Sequence, residues 1–112
     1  MNIQPRIVHN YLTPDGRTPF REWLTSLKDK KTRAIIEKRI ERLQRGNFGD
    51  YKRLNGDLYE LRIHYGAGYR VYVGDFDGVI VILLCGGLKR TQRRNIQQAK
   101  AYWQELRSRA NG

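Results

Sequence analysis

The chain has 112 residues, of which 39% are hydrophobic, and its 22 Lys+Arg against 11 Asp+Glu give a formal net charge of +11. That length fits one domain with a single modest core, spanning residues 1–112, and 2 Trp, 7 Tyr and 3 Phe exclude a disordered polyelectrolyte. Cys85 is the lone cysteine, which excludes an internal disulfide and a Cys-cluster zinc site, and the longest apolar run, Val79 to Cys85, is far short of the roughly 20 residues of a membrane helix.

Met1 to Arg6 lead into no signal-peptide apolar region, so a cytoplasmic protein with no membrane partner is expected. Arg6 to Leu12 reads as a first strand, closed by the turn Thr13-Pro14-Asp15-Gly16. Thr18-Pro19 reads as an N-cap and first helical residue, and Phe20, Trp23, Leu24 and Leu27 form one apolar helical stripe. A second helix is predicted from about Lys30 to Arg45, burying Ile36, Ile40 and Leu43 and ending at Gly46-Asn47. Lys52-Arg53-Leu54 suits a short edge strand. Leu58 to Tyr65 and Tyr69 to Val73 read as a hairpin about Gly66-Ala67-Gly68. Val79 to Cys85 reads as a strand covered on both faces and broken by Gly86-Gly87. Thr91 then caps a last helix carrying Ile96, Ala99, Trp103 and Leu106. The order β-α-α-β-β-β-β-α predicts an α+β domain, helices packed on a curved, mostly antiparallel sheet.

The positive charge is segregated. Lys28 to Arg45 holds a net +5 and Lys89 to the C-terminus a net +6, while the remainder balances, which points to a polyanionic partner. On the strand Leu58 to Tyr65, the two-residue period puts Glu60, Arg62 and His64 on one face, and Arg70 and Tyr72 share a face of the partner strand. Aligned, they make one polar patch with Lys89, Arg90 and Arg93 at its rim. Arg62, Arg70 and Arg90 suit phosphate gripping, because guanidinium groups bind phosphate bidentately. His64 and Glu60 are the candidate proton-transfer groups, with Tyr72 orienting the RNA. Such a patch suits RNA cleavage without a metal or other cofactor, in which the substrate 2′-hydroxyl is the nucleophile. Read from residues alone, a basic RNA- or protein-binding domain remains the simpler alternative.

Five segments in order carry a resemblance: Pro19-Phe20-Arg21-Glu22-Trp23-Leu24, Gly46-Asn47-Phe48-Gly49-Asp50, Tyr59-Glu60-Leu61-Arg62, Tyr65-Gly66-Ala67-Gly68-Tyr69-Arg70-Val71-Tyr72 and Leu84-Cys85-Gly86-Gly87-Leu88-Lys89. Together they resemble the phage-derived, HigB-like branch of the RelE/ParE toxin superfamily. The resemblance implies a RelE-like fold, two N-terminal helices followed by an antiparallel sheet. It also implies the toxin of a type II toxin–antitoxin pair, a ribosome-dependent mRNA endonuclease that inhibits translation. Its partners would be the ribosome, mRNA and a cognate antitoxin, often a helix-turn-helix, HigA-like protein. The family's Gly-Tyr-Arg arginine falls on Arg70 and its basic residue after the central strand on Lys89 or Arg90. The alternating lysines of RelE fall on Glu60 and Arg62, and its C-terminal tyrosine on Ile96. A ParE-like toxin that binds DNA gyrase without catalysis is the second reading within the superfamily.

Overall fold

A computed structural model describes residues 4–111. Met1 to Ile3, read above for a signal sequence, lie outside them. Five strands and three helices are formed: β1 (Ile7–Asn10), α1 (Pro19–Ser26), α2 (Lys30–Gln44), β2 (Tyr51–Asn55), β3 (Leu58–Ile63), β4 (Tyr69–Phe76), β5 (Ile80–Leu88) and α3 (Gln92–Asn111), the last preceded by a single 3₁₀ turn (Lys89–Thr91). The sheet order is β1-β5-β4-β3-β2, antiparallel except where β1 lies parallel to β5. This is the predicted α+β order. No helix among the described residues is long and apolar enough to cross a membrane.

The strand period sorts the side chains into two cores. Leu61, Ile63, Val71 and Val73 face one way and pack with Phe20 and Leu24 of α1 and Ile36 and Leu43 of α2. Leu58, Tyr72, Leu84 and Cys85 face the other way and pack with Ala99 and Trp103 of α3. The helices therefore dock on opposite faces of the sheet. Each fully buried large apolar side chain stabilises that docking by about 1.5–3 kcal/mol.

Three local expectations change. Thr18 makes no side-chain cap; α2, in contrast, is capped by Asp29, which accepts from the Lys31 backbone N–H at 3.1 Å and the Thr32 hydroxyl at 2.8 Å. Gly86 and Gly87 do not break the strand. β5 runs through both to Leu88, because each glycine admits a neighbour that a side chain would exclude. A Cβ at Gly86 would lie 2.2 Å from the Trp23 ring, and one at Gly87 would lie 2.1 Å from Asn95 Oδ1. A register shift in β5, between the partners of Tyr72 and Val73, re-phases the strand so that these glycines meet α1 and α3. Finally, Thr91 closes the 3₁₀ turn, its hydroxyl donating to the Leu88 carbonyl and lying 2.6 Å from Asn95 Oδ1.

Candidate active site

Pairing in the β3–β4 hairpin sets Glu60 opposite Tyr72 and Arg62 opposite Arg70, and on the other flank Tyr72 faces Cys85 and Arg70 faces Gly87. These residues share the α3 side of the sheet. The two arginines are thus cross-strand partners on one face, as the alternation predicts.

Glu60 organises the floor. It is fully buried, a position a carboxylate tolerates only with donors around it. Arg62 Nε lies 3.3 Å from one carboxylate oxygen, while the Tyr72 hydroxyl at 3.1 Å and Gln92 Nε2 at 2.7 Å donate to the other. Tyr72 is equally buried. Burial, then the neighbouring Glu60 carboxylate, hold its hydroxyl protonated far above the ordinary tyrosine range. Neither group faces solvent. Tyr72 therefore braces Glu60 and offers no ring to a bound base, and Glu60 is a strut for Arg62.

Arg70 differs from Arg62. Its residue exposure is 8%, and its Nε is buried without a hydrogen-bond partner. Among the described residues its side chain forms no salt bridge. With Nε enclosed, it is the terminal guanidinium nitrogens of Arg70 that are left to donate to an anion.

His64 lies just past the end of β3, exposed, with Nε2 2.5 Å from Asp50 Oδ2. Asp50 in turn sits beside Arg62, whose backbone N–H donates to the Asp50 carbonyl at 2.9 Å. The His64 hydrogen bond, followed by the His64, Arg62 and Arg39 charges, holds the Asp50 carboxyl below the usual carboxylate range. Lys89, Arg90 and Arg93 are exposed on the 3₁₀ turn and the first turn of α3. Lys89 is tied to the hairpin turn, its backbone N–H donating to the Gly68 carbonyl at 3.0 Å.

The family model for phage-derived protein Gp49-like (DUF891) matches residues 22–107, a span that includes all of these groups. The chain belongs to that family. An uncharacterised protein of Haemophilus influenzae is 55% identical over 87 residues, covering 78% of this chain and 88% of the relative. Within the Gp49-like span, three contributors escaped the sequence reading. Gln92 and Asp50 bond to residues 32 and 14 positions away, and no local periodicity announces either contact. Arg39 left a signal: it continues the stripe of Thr32, Ile36 and Leu43 that α2 buries. Its guanidinium donates to the carbonyls of Arg62 (2.6 Å), Phe48 (2.8 Å) and Asp50 (2.5 Å), fixing the β2–β3 edge against α2.

Proposed function

We propose that this Gp49-like chain is a HigB-like, RelE/ParE-type toxin that cleaves mRNA on the ribosome and is silenced by a cognate antitoxin. The observation that carries the reading is Arg70, an arginine without a salt bridge among the described residues, set directly opposite Arg62. Arginines at paired positions of neighbouring strands suit a phosphodiester and the extra negative charge it gains in the transition state. In the proposed reaction the substrate 2′-hydroxyl attacks phosphorus, and the bond to the 5′-oxygen breaks. A proton leaves the 2′-oxygen and one reaches the 5′-oxygen, giving a 2′,3′-cyclic phosphate and a 5′-hydroxyl. His64, exposed and oriented by Asp50, is the proton-transfer group in this scheme. Glu60, Tyr72 and Gln92 position Arg62, and Lys89, Arg90 and Arg93 contact the flanking RNA.

Inducible expression in bacteria with mapping of mRNA ends tests the reading. Growth arrest with new 5′-hydroxyl ends inside coding frames is expected. Arg62→Ala and Arg70→Ala should each lower cleavage more than tenfold, equivalent to about 1.4 kcal/mol of barrier. Arrest that persists in a folded Arg70→Ala variant without new mRNA ends would indicate a target reached by binding alone, such as gyrase.

A further inference from the structure

We infer that the groove between α2 and the β2–β3 edge holds the RNA strand beside the scissile phosphate, with Lys38 and Arg42 neutralising its phosphodiesters. The inference rests on the nuclease reading and extends it to a second subsite. The groove, about 490 Å³, is bounded by Ile35, Lys38 and Arg42 on α2 and by Arg62, Ile63 and His64 on β3 and its exit. Arg62 and His64 thus border this groove as well as the candidate active site. His64 lies two residues past Arg62, about 6.6 Å along an extended chain. The groove opens on the α2 side of the sheet, so a strand gripped at Arg70 and Arg62 on the α3 side enters it by turning around the exit of β3 at His64.

Lys38 and Arg42 stand one helical turn apart on the same side of α2, both charged positions being four residues apart. Like charges in that relation cost helix stability. Among the described residues neither enters a salt bridge, so the repulsion is left for a ligand to relieve. Arg39 does not compete for that ligand, because its terminal nitrogens donate to the carbonyls of Phe48, Asp50 and Arg62 and its Nε is enclosed. The acidic group at the lip, Asp50, is offset by His64, Arg62 and Arg39. Ile35 and Ile63 give the groove an apolar wall. Cations beside an apolar wall suit a nucleotide, with phosphate on the rim and ribose or base on the isoleucines. An acidic peptide would satisfy the cations alone and would have no reason to continue into the phosphate grip.

The test is fluorescence anisotropy with a labelled 2′-O-methyl oligouridylate, which lacks the nucleophile, alongside the 2′-O-methyl dinucleotide. The double variant Lys38→Ala/Arg42→Ala should bind the longer strand roughly tenfold more weakly, while its dinucleotide affinity is unchanged. Its slope of log affinity against log salt should fall by about 1.4, two phosphates at ~0.7 each. Lys38→Arg/Arg42→Lys should retain wild-type binding. Arg70→Ala should weaken both probes. Wild-type binding with an unchanged slope in the double variant overturns the groove and leaves the nuclease reading standing. Failure of the wild type to bind the longer strand more tightly than the dinucleotide overturns the groove, whereas the nuclease reading falls only if expression yields no new 5′-hydroxyl mRNA ends. Displacement of oligouridylate by oligoglutamate at lower concentration, lost in the double variant, overturns the inference in favour of an acidic protein segment.

Discussion

Arg62 and Arg70 face one another across two strands, an arrangement of like charges that disfavours folding unless something offsets it. Glu60 does so for Arg62, but the Nε of Arg70 has no partner. Replacing such a group with an apolar side chain of similar length should leave the fold intact or strengthen it. Arg70→Met is therefore expected to keep or raise the urea midpoint while lowering mRNA cleavage more than tenfold; a clear loss of stability would show that Arg70 braces the sheet. Glu60→Gln should behave in the opposite way. The amide presents donors where Arg62, Tyr72 and Gln92 already donate, so about 1–3 kcal/mol of stability should be lost in urea titration. Titration at high pH reads the same floor. Burial pushes the Cys85 thiol up to about 12 from an ordinary 9.0, and burial with Glu60 raises the Tyr72 hydroxyl above its ordinary 10.0. Both groups ionise more readily in the unfolded chain, so the stability they contribute is complete below about pH 9 and is lost as pH rises toward the folded values. Unfolding free energy should decline above pH 9, and Cys85→Ala should remove the earliest part of that decline.

The helices are fixed by close approaches that only glycine allows. Trp23 of α1 lies over Gly86, and Trp103 of α3 lies over Gly74 on the opposite side, where an added Cβ would sit 2.3 Å from the ring. Backbone and ring are both too constrained to give way, so Gly86→Ala and Gly74→Ala should each cost about 1–3 kcal/mol by thermal or urea denaturation. These glycines also mark where reading the chain fails. Gly86-Gly87 reads as a strand break because glycine weakens strands in isolation, and only the tertiary approach of Trp23 and Asn95 makes it a requirement. Strands, helices and the shared face of Arg62 and Arg70 were legible because each depends on a short period along the chain. The burial of Glu60 and Tyr72 was not. Alternation places them on a face, but α3, arriving from twenty or more residues away, decides that the face is covered there, with Gln92 capping Glu60. Arg39 shows the reverse error, since composition assigned it to a basic surface although its place on the α2 stripe put it inside.

Folding divides the excess charge. α2 and α3 carry most of the two basic stretches and pack on opposite faces of the sheet, in a molecule 40 × 36 × 22 Å across. At 0.01 M salt the screening length is about 30 Å, longer than the short dimension, and the chain presents itself as a single +11 field. At physiological salt it is about 8 Å, and each face acts separately. Long-range attraction to RNA should then draw on both faces, whereas bound contacts should draw on the Arg62–Arg70 face edge with Lys89, Arg90 and Arg93, and on the α2 groove. Reversing two α3 charges further along the helix, Lys100→Glu and Arg107→Glu, which border one cavity with Trp103, separates the contributions. Stopped-flow association with ribosomes should slow about tenfold at 0.01 M salt. The difference should shrink to less than about twofold at 0.15 M, with dissociation unchanged throughout. A slowing that salt does not diminish, or a faster dissociation, would place the outer surface of α3 within the bound interface and extend recognition from Lys89, Arg90 and Arg93 to the rest of the second basic stretch.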